Sequence, residues 1–184
     1  MKKKIVITGG LGYIGTELCK IYSGVSWNNE IIVIDNRFIS ERVNQLRNWN
    51  MEFIHGDILD KELVNKYCKD ADTVHHLAGI TDVPRIKSES SKNRDEKIIQ
   101  VAKEGTQNVL DAISDKCKII LPSTHVVYEG IEKVKNDIPE DEETKPILSY
   151  AKSKVINEKQ LKDSRKNYII LRLGSVYGYS TDTT

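Results

Sequence analysis

Long apolar runs are missing from this chain. The best of them, Ile31-Ile32-Val33-Ile34, falls far short of the roughly 20 residues that span a bilayer as a helix, so no membrane partner is expected. Met1-Lys2-Lys3-Lys4 has the charge of a signal-peptide start, but the apolar run behind it breaks at Thr8-Gly9-Gly10, and that reading fails. Cysteine is scarce too. Cys19, Cys68 and Cys117 are odd in number, widely spaced and form no C-x-x-C pair, which excludes a disulfide framework and points to buried, reduced thiols in a cytoplasmic protein. Charge of one sign is also lacking: 28 Lys and Arg face 27 Asp and Glu. A net +1 gives neither nucleic acid nor an acidic membrane surface a field to bind. With no linker and no low-complexity segment, 184 residues suit one domain with a substantial core.

What is present begins at Thr8-Gly9-Gly10-Leu11-Gly12-Tyr13-Ile14-Gly15, directly behind Ile5-Val6-Ile7 and ahead of a helical stretch at Leu18 to Tyr22. Strand, glycine-rich turn and helix in that order are the setting of a dinucleotide fingerprint. Gly9 or Gly10 turns the chain tightly, Gly12 lets the backbone approach a pyrophosphate, and Gly15 lets helix and strand pack closely. The free N–H groups of the helix start then face the phosphates, with Tyr13 and Ile14 among the residues expected to bind cofactor. A Walker loop shares the spacing of Gly10 and Gly15, but Thr16 stands where its lysine is required. A second strand, Glu30 to Ile34, ends in Asp35, twenty residues beyond Gly15. A carboxylate there can accept both hydroxyl protons of an adenosine ribose and would repel a 2′-phosphate, favouring NAD over NADP. Arg37, two residues on, leaves NADP open.

Short β-branched runs alternate with amphipathic ones. Four further strands are predicted at Met51–His55, Thr73–Leu77, Lys118–Leu121 and Tyr168–Leu171, with helical spacing between them, as at Ile98/Val101/Ala102/Val109/Leu110. The expected fold is α/β, a doubly wound parallel sheet with helices on both faces and right-handed crossovers. Ligand belongs where the carboxyl ends of strands one, four and five converge. Residues 129–148, rich in acidic side chains, read as a solvated loop.

Tyr150 and Lys154 stand one helical turn apart and project to one face. A phenol of pKa about 10 is a poor base at neutral pH, and a neighbouring ammonium favours its phenolate. Such a pair also arises by chance on exposed helices. The fifth strand runs into Pro122-Ser123-Thr124-His125 at the same edge. Thr124 there either bonds a reacting oxygen or caps the turn with Ser123. His125 reads as local structure. His55, His75 and His76 lack metal-ligand spacing, so no metal is expected.

These motifs, running from Lys4 to about Gly178, together with Asp35-Asn36, Gly56-Asp57-Ile58, His76-Leu77-Ala78-Gly79 and Leu171 to Gly178, resemble the extended short-chain dehydrogenase/reductases. Within that group the motifs are nearest to the NAD-dependent nucleotide-sugar epimerases and dehydratases, in particular the UDP-sugar 4-epimerase type. The resemblance implies a Rossmann fold, NAD as cofactor and a nucleotide sugar as substrate. It implies that Asp57 and Ile58 meet the adenine and that Leu77, Ala78 and Gly79 line the cofactor. Thr124, Tyr150 and Lys154 would be the catalytic trio, Lys154 also holding the nicotinamide ribose. A homodimer through helices at 92–114 and 149–162 is implied, with Val101, Ala102, Val109 and Leu110 either in that interface or facing the sheet.

Departures from the family pattern bear on the reaction. Dehydratases carry an Asp-Glu pair directly after the threonine, whereas His125-Val126 stand here, which disfavours elimination. Ala102 and Ser175 replace asparagines, and Tyr179 replaces a proline. Residues 1–178 are expected to form the NAD-binding domain, with 179–184 opening a smaller substrate lobe that lies beyond a truncated sequence. An epimerase is expected. Net dehydrogenation or reduction, dehydration, and a non-catalytic NAD-binding protein are the alternatives.

Overall fold

The β-branched runs form strands and the amphipathic runs between them form helices. The computed structural model describes residues 2–81, 92–132 and 136–178. Along the chain come β1 (Lys4–Thr8), α1 (Tyr13–Ser23), β2 (Glu30–Asp35), α2 (Ser40–Asn48), β3 (Glu52–His55), α3 (Lys61–Cys68) and β4 (Thr73–His76). Then follow α4 (Lys92–Gln100), a π-helical turn at Val101–Gly105, α5 (Thr106–Ala112), β5 (Lys118–Thr124), α6 (Ser149–Asp163) and β6 (Asn167–Leu173). The six strands make one sheet in the order β3-β2-β1-β4-β5-β6, every neighbouring pair parallel. Strand order reverses between β1 and β4, which opens a crevice at their carboxyl ends.

Successive strand residues point to opposite faces, and both faces are apolar, as a sheet covered on both sides requires. Val6, Ile32, Ile34, Val74, Ile119 and Leu121 pack with Val64, Val109, Leu110 and Leu161 from α3, α5 and α6. Ile5, Ile7, Ile31 and Val33 pack on the other side with Cys19, Val43 and Leu46 from α1 and α2. The three cysteines are buried and free, and burial pushes the thiols of Cys19 and Cys68 up to about 12.

Two boundaries differ instructively from the sequence reading. Helix α1 begins at Tyr13, five residues ahead of its apolar spacing, because Gly12 starts the helix without a side-chain cap. Strand β5 runs on through Pro122 to Thr124. Its pairing with β4 stops at Ile120 while that with β6 continues to Thr124, so the missing N–H of Pro122 interrupts no ladder bond to β4. The four residues offered for a dimer interface face inward: Val101, Ala102, Val109 and Leu110 are all buried, so any pairing of copies must use others.

A polar network threads the core beneath the crevice. Thr8 Oγ1 meets His76 Nδ1 at 2.9 Å, and His76 Nε2 meets Thr106 Oγ1 at 2.9 Å. Asn157 donates to Thr106 Oγ1 and to the Ala102 carbonyl, each at 2.8 Å. Burial, aided by the charge of Lys154, holds His76 down at about 3, so this imidazole stays neutral. The Ala102 carbonyl accepts from Thr106 N at the end of the π-helical turn and takes Asn157 as a second donor. Asn157→Ala removes one hydrogen bond each from the Ala102 carbonyl and the Thr106 hydroxyl, which keep Thr106 N and His76 as partners, and is expected to lower unfolding free energy by about 1 kcal/mol in urea titrations. An unchanged midpoint would refute that bookkeeping.

Candidate active site and cofactor cleft

The carboxyl edge of the sheet is sewn together by backbone bonds. Gly9 N donates to Ile34 O at 2.7 Å, Leu77 N to Thr8 O at 3.1 Å and Gly56 N to Asp35 O at 3.1 Å. Gly9 adopts a left-handed φ of 70°, and a Cβ on it would lie 2.6 Å from Ala78 N. Gly9 rather than Gly10 therefore makes the turn. A Cβ on Gly15 would lie 2.5 Å from the Gly9 carbonyl oxygen, so the helix start sits against the turn at van der Waals limit. The first N–H groups of α1 have no intrahelical acceptor and open onto the crevice.

That crevice is a cavity of about 670 Å³, the size of ordinary cofactor sites. It brings together every residue expected of the cofactor site: Gly9, Gly12, Tyr13, Ile14, Gly15, Asp35, Asn36, Asp57, Ile58, Leu77, Ala78 and Gly79. Thr124, Tyr150 and Lys154 stand in its wall as well. Sequence reasoning missed Lys97, Ile80 and Thr81, which also line it and sit in no motif, and gave no role to Leu173 of the Leu171 to Gly178 motif, which lines it too.

At the β2–β3 side, Asp57 is locally engaged. Its Oδ2 accepts from Asn36 Nδ2 at 3.0 Å and its Oδ1 from Leu59 N at 2.9 Å. Ile58 is buried, and a Cβ on Gly105 would clash with its Cδ1 at 2.3 Å, so its side chain packs on the π-helical turn. Asp35 is more heavily used than its expected role allows. Its Oδ2 accepts from Leu11 N at 2.9 Å, and its Oδ1 accepts from Arg37 N at 3.0 Å and Arg37 Nε at 3.3 Å.

At the β5–α6 side Thr124 caps the turn and faces Tyr150. Its hydroxyl accepts from Val126 N at 3.2 Å, capping the turn, and also hydrogen-bonds the Tyr150 phenol. Tyr150 is half-buried and Lys154 buried, so this is no exposed chance pair. Lys154 Nζ lies 5.9 Å from the Tyr150 ring centre. Burial lowers the Lys154 ammonium to about 8. Tyr150 departs from expectation: burial raises its pKa and the Thr124 bond offsets this only in part. The phenol is therefore protonated in the chain alone, and phenolate needs a further positive charge beside it.

A second set of contacts lies behind the trio. Glu158, one turn past Lys154, accepts from Ser123 Oγ at 2.6 Å and from Arg172 Nε at 2.9 Å and Nη2 at 2.6 Å. Arg172 reaches on to the Tyr128 hydroxyl and to Glu140 O. Ser123 thus caps no turn. The acidic loop is pinned at its base, with Glu129 Oε1 accepting from Ile147 N at 2.6 Å and Gly130 N donating to Lys145 O at 2.9 Å. His125 is exposed, its Nδ1 3.2 Å from Leu173 O. Opposite, Tyr13 donates its phenol hydrogen to Gly178 O at 3.0 Å, joining the glycine turn to the segment after β6. Ser175 lies in that exposed segment, whereas Tyr179 and residues 179–184 fall outside the described residues.

The family model described as NAD dependent epimerase/dehydratase family matches residues 5–184. The chain belongs to that family. It is 32% identical to a dTDP-D-glucose 4,6-dehydratase of Dictyostelium discoideum, over 96% of this chain and 44% of that protein. It is 32% identical to a CDP-paratose 2-epimerase of Salmonella typhi, over 72% of this chain and 40% of that one. Among solved structures it superposes on the UDP-glucose 4-epimerase of Brucella ovis in complex with NAD. That match has a TM-score of 0.74 and 28% identity, and covers 92% of this chain and 51% of the other. A UDP-glucuronic acid 4-epimerase from Bacillus cereus in complex with NAD gives 0.76 and 26%, covering 95% and 57%. The chain spans about half the length of these relatives.

NAD is the cofactor of this family, and the cleft fits it. A side chain at Gly12 would project between the Gly9 carbonyl at 3.1 Å and the Arg37 guanidinium at 3.6 Å, crowding the start of α1. Epimerases and dehydratases both stand among the relatives of this family member. No helix among the described residues is long and apolar enough to cross a membrane.

Proposed function

We propose that this family member is an NAD-dependent nucleotide-sugar epimerase whose cofactor half is residues 1–178, with Tyr150 as general base. Bound NAD supplies a hydride acceptor and donor. Tyr150 removes the proton from a sugar hydroxyl, and Thr124 hydrogen-bonds the same oxygen and the phenolate. Buried Lys154 adds positive charge beside the phenolate and holds the nicotinamide ribose. After the ketone turns over in the site, Tyr150 returns the proton to the oxygen on the other face. The α1 start, Asp35, Asn36, Asp57 and Ile58 bind the adenosine diphosphate half, with Leu77 to Gly79 along its length.

One observation favours epimerisation over dehydration. Elimination of water needs an acid and a base beside the reacting carbons, yet the only carboxylates among the described cavity residues are Asp35 and Asp57, both at the β2–β3 side. The two positions after Thr124 are His125 and Val126.

The test is incubation of the protein in D2O with UDP-glucose, and separately with UDP-glucuronic acid, followed by NMR and mass spectrometry. The expected product is an epimer of unchanged mass, without solvent deuterium on carbon and without net NADH. A product lighter by one water and carrying deuterium would make the chain a dehydratase. Stoichiometric consumption of added NAD would make it a dehydrogenase.

A further inference from the structure

This inference rests on reading the cleft as a dinucleotide site and concerns which dinucleotide enters. The carboxylate expected to grip both ribose hydroxyls is already in use: Asp35 Oδ1 accepts from Arg37 N and Arg37 Nε, and Oδ2 from Leu11 N. A carboxylate oxygen takes two donors in its plane, so Oδ1 is filled and Oδ2 has room for one more. Asp35 as it stands can hold one ribose hydroxyl, not two.

Arg37 is placed the other way. Its side chain is 52% exposed while that of Asp35 is 4% exposed, so the pair presents its cationic end to the cleft. Only Nε is spent on Asp35, at 3.3 Å; among the described residues the two Nη nitrogens have no protein acceptor. Nη2 stands 3.6 Å from where a Cβ on Gly12 would lie, so the guanidinium leans over the glycine turn. An unpaired aspartate here repels a phosphate, but one neutralised by its own arginine does not, and a guanidinium fork matches phosphate oxygens with two N–H bonds.

We infer that Arg37 admits a phosphate on the 2′ position of the adenosine ribose, so that this cleft takes NADP as well as NAD. The diphosphate bridge of either dinucleotide passes the same glycine turn and offers Arg37 the same chemistry, so the test must separate the two phosphates.

Calorimetric titrations of the protein and of Arg37→Ala with NAD and with NADP do so. The wild-type chain is expected to bind NADP within roughly tenfold of NAD. Loss of two charge-assisted bonds in Arg37→Ala is expected to weaken NADP by roughly 10- to 100-fold, and NAD by less than about threefold. The NAD titration of the variant reports in the same sample that it is folded. Raised salt weakens NADP more than NAD in the wild type and equalises them in the variant. Wild-type NADP binding more than about 100-fold below NAD overturns the inference, as do equal losses for both dinucleotides in the variant, which assign Arg37 to the diphosphate. Binding of neither dinucleotide by the wild type overturns the cofactor reading itself.

Discussion

Tyr150→Phe is expected to lower kcat for nucleotide-sugar turnover by roughly 10²–10⁴-fold, the usual worth of a positioned acid–base group. NAD content should stay nearly unchanged. The substitution removes one oxygen and leaves the half-buried ring in its packing. Thr124 loses its partner in the phenol but keeps Val126 N at 3.2 Å, so the β5 turn stays capped. Lys154 remains buried one turn away. The proton acceptor alone disappears. The same geometry makes the rate rise and then fall with pH, because Lys154, lowered to about 8 by burial, loses above that value the charge that supports the phenolate. Burial raises the Tyr150 pKa above the ordinary phenol, so the base form grows as pH rises. Rates measured with UDP-glucose, beside the dinucleotide released on acid denaturation, check both halves. A variant with full turnover and full NAD would remove Tyr150 from the mechanism.

The second large effect is on stability. Glu158→Ala is expected to lower unfolding free energy by about 3 kcal/mol, the lower end for breaking one side of a buried ion pair. The Glu158 and Arg172 side chains are 3% and 16% exposed, and the loss strands the Arg172 guanidinium and the Ser123 hydroxyl together. Arg172 keeps the Tyr128 hydroxyl and Glu140 O, which is why the lower figure applies. Burial alone would raise the Glu158 carboxyl, but hydrogen bonds from Arg172 and Ser123 and the charges of Arg172 and Lys162 hold it below its usual value. A carboxyl depressed on folding stabilises fully above its unfolded pKa of about 4.3 and loses that contribution as pH falls through the folded value. Glu158→Gln should therefore flatten the acid side of the stability–pH curve. Urea titrations from pH 7 downward test this, and parallel curves for the two proteins would refute it.

Much of this was legible in the sequence because the signals are local. A β-branched run, a glycine turn and an amphipathic stretch each declare themselves within a dozen residues, and their alternation leaves little choice of sheet. Tyr150 and Lys154 were legible because four residues along a helix put side chains on one face. Asp35 was found but its state was not: its engagement by Leu11 N and Arg37 depends on how the β1 turn closes over β2. Glu158 shares the stripe of Tyr150 and Lys154 and was overlooked, since its partners Ser123 and Arg172 come from two other strands. The network of Thr8, His76, Thr106 and Asn157 joins four elements, and no spacing rule reaches across them. The inward turn of Val101 and Ala102 was hidden by the π-helical turn, which adds a residue and rotates the face of everything near it.

The bond from Tyr13 to Gly178 O spans 165 residues of sequence and ties a residue of the cleft wall to the segment after β6. A single neutral hydrogen bond of this kind is worth about 1 kcal/mol net, so it is broken for an appreciable fraction of the time. In the proposed dinucleotide site this tie would add little to residence time, which the contacts of the ligand itself would set.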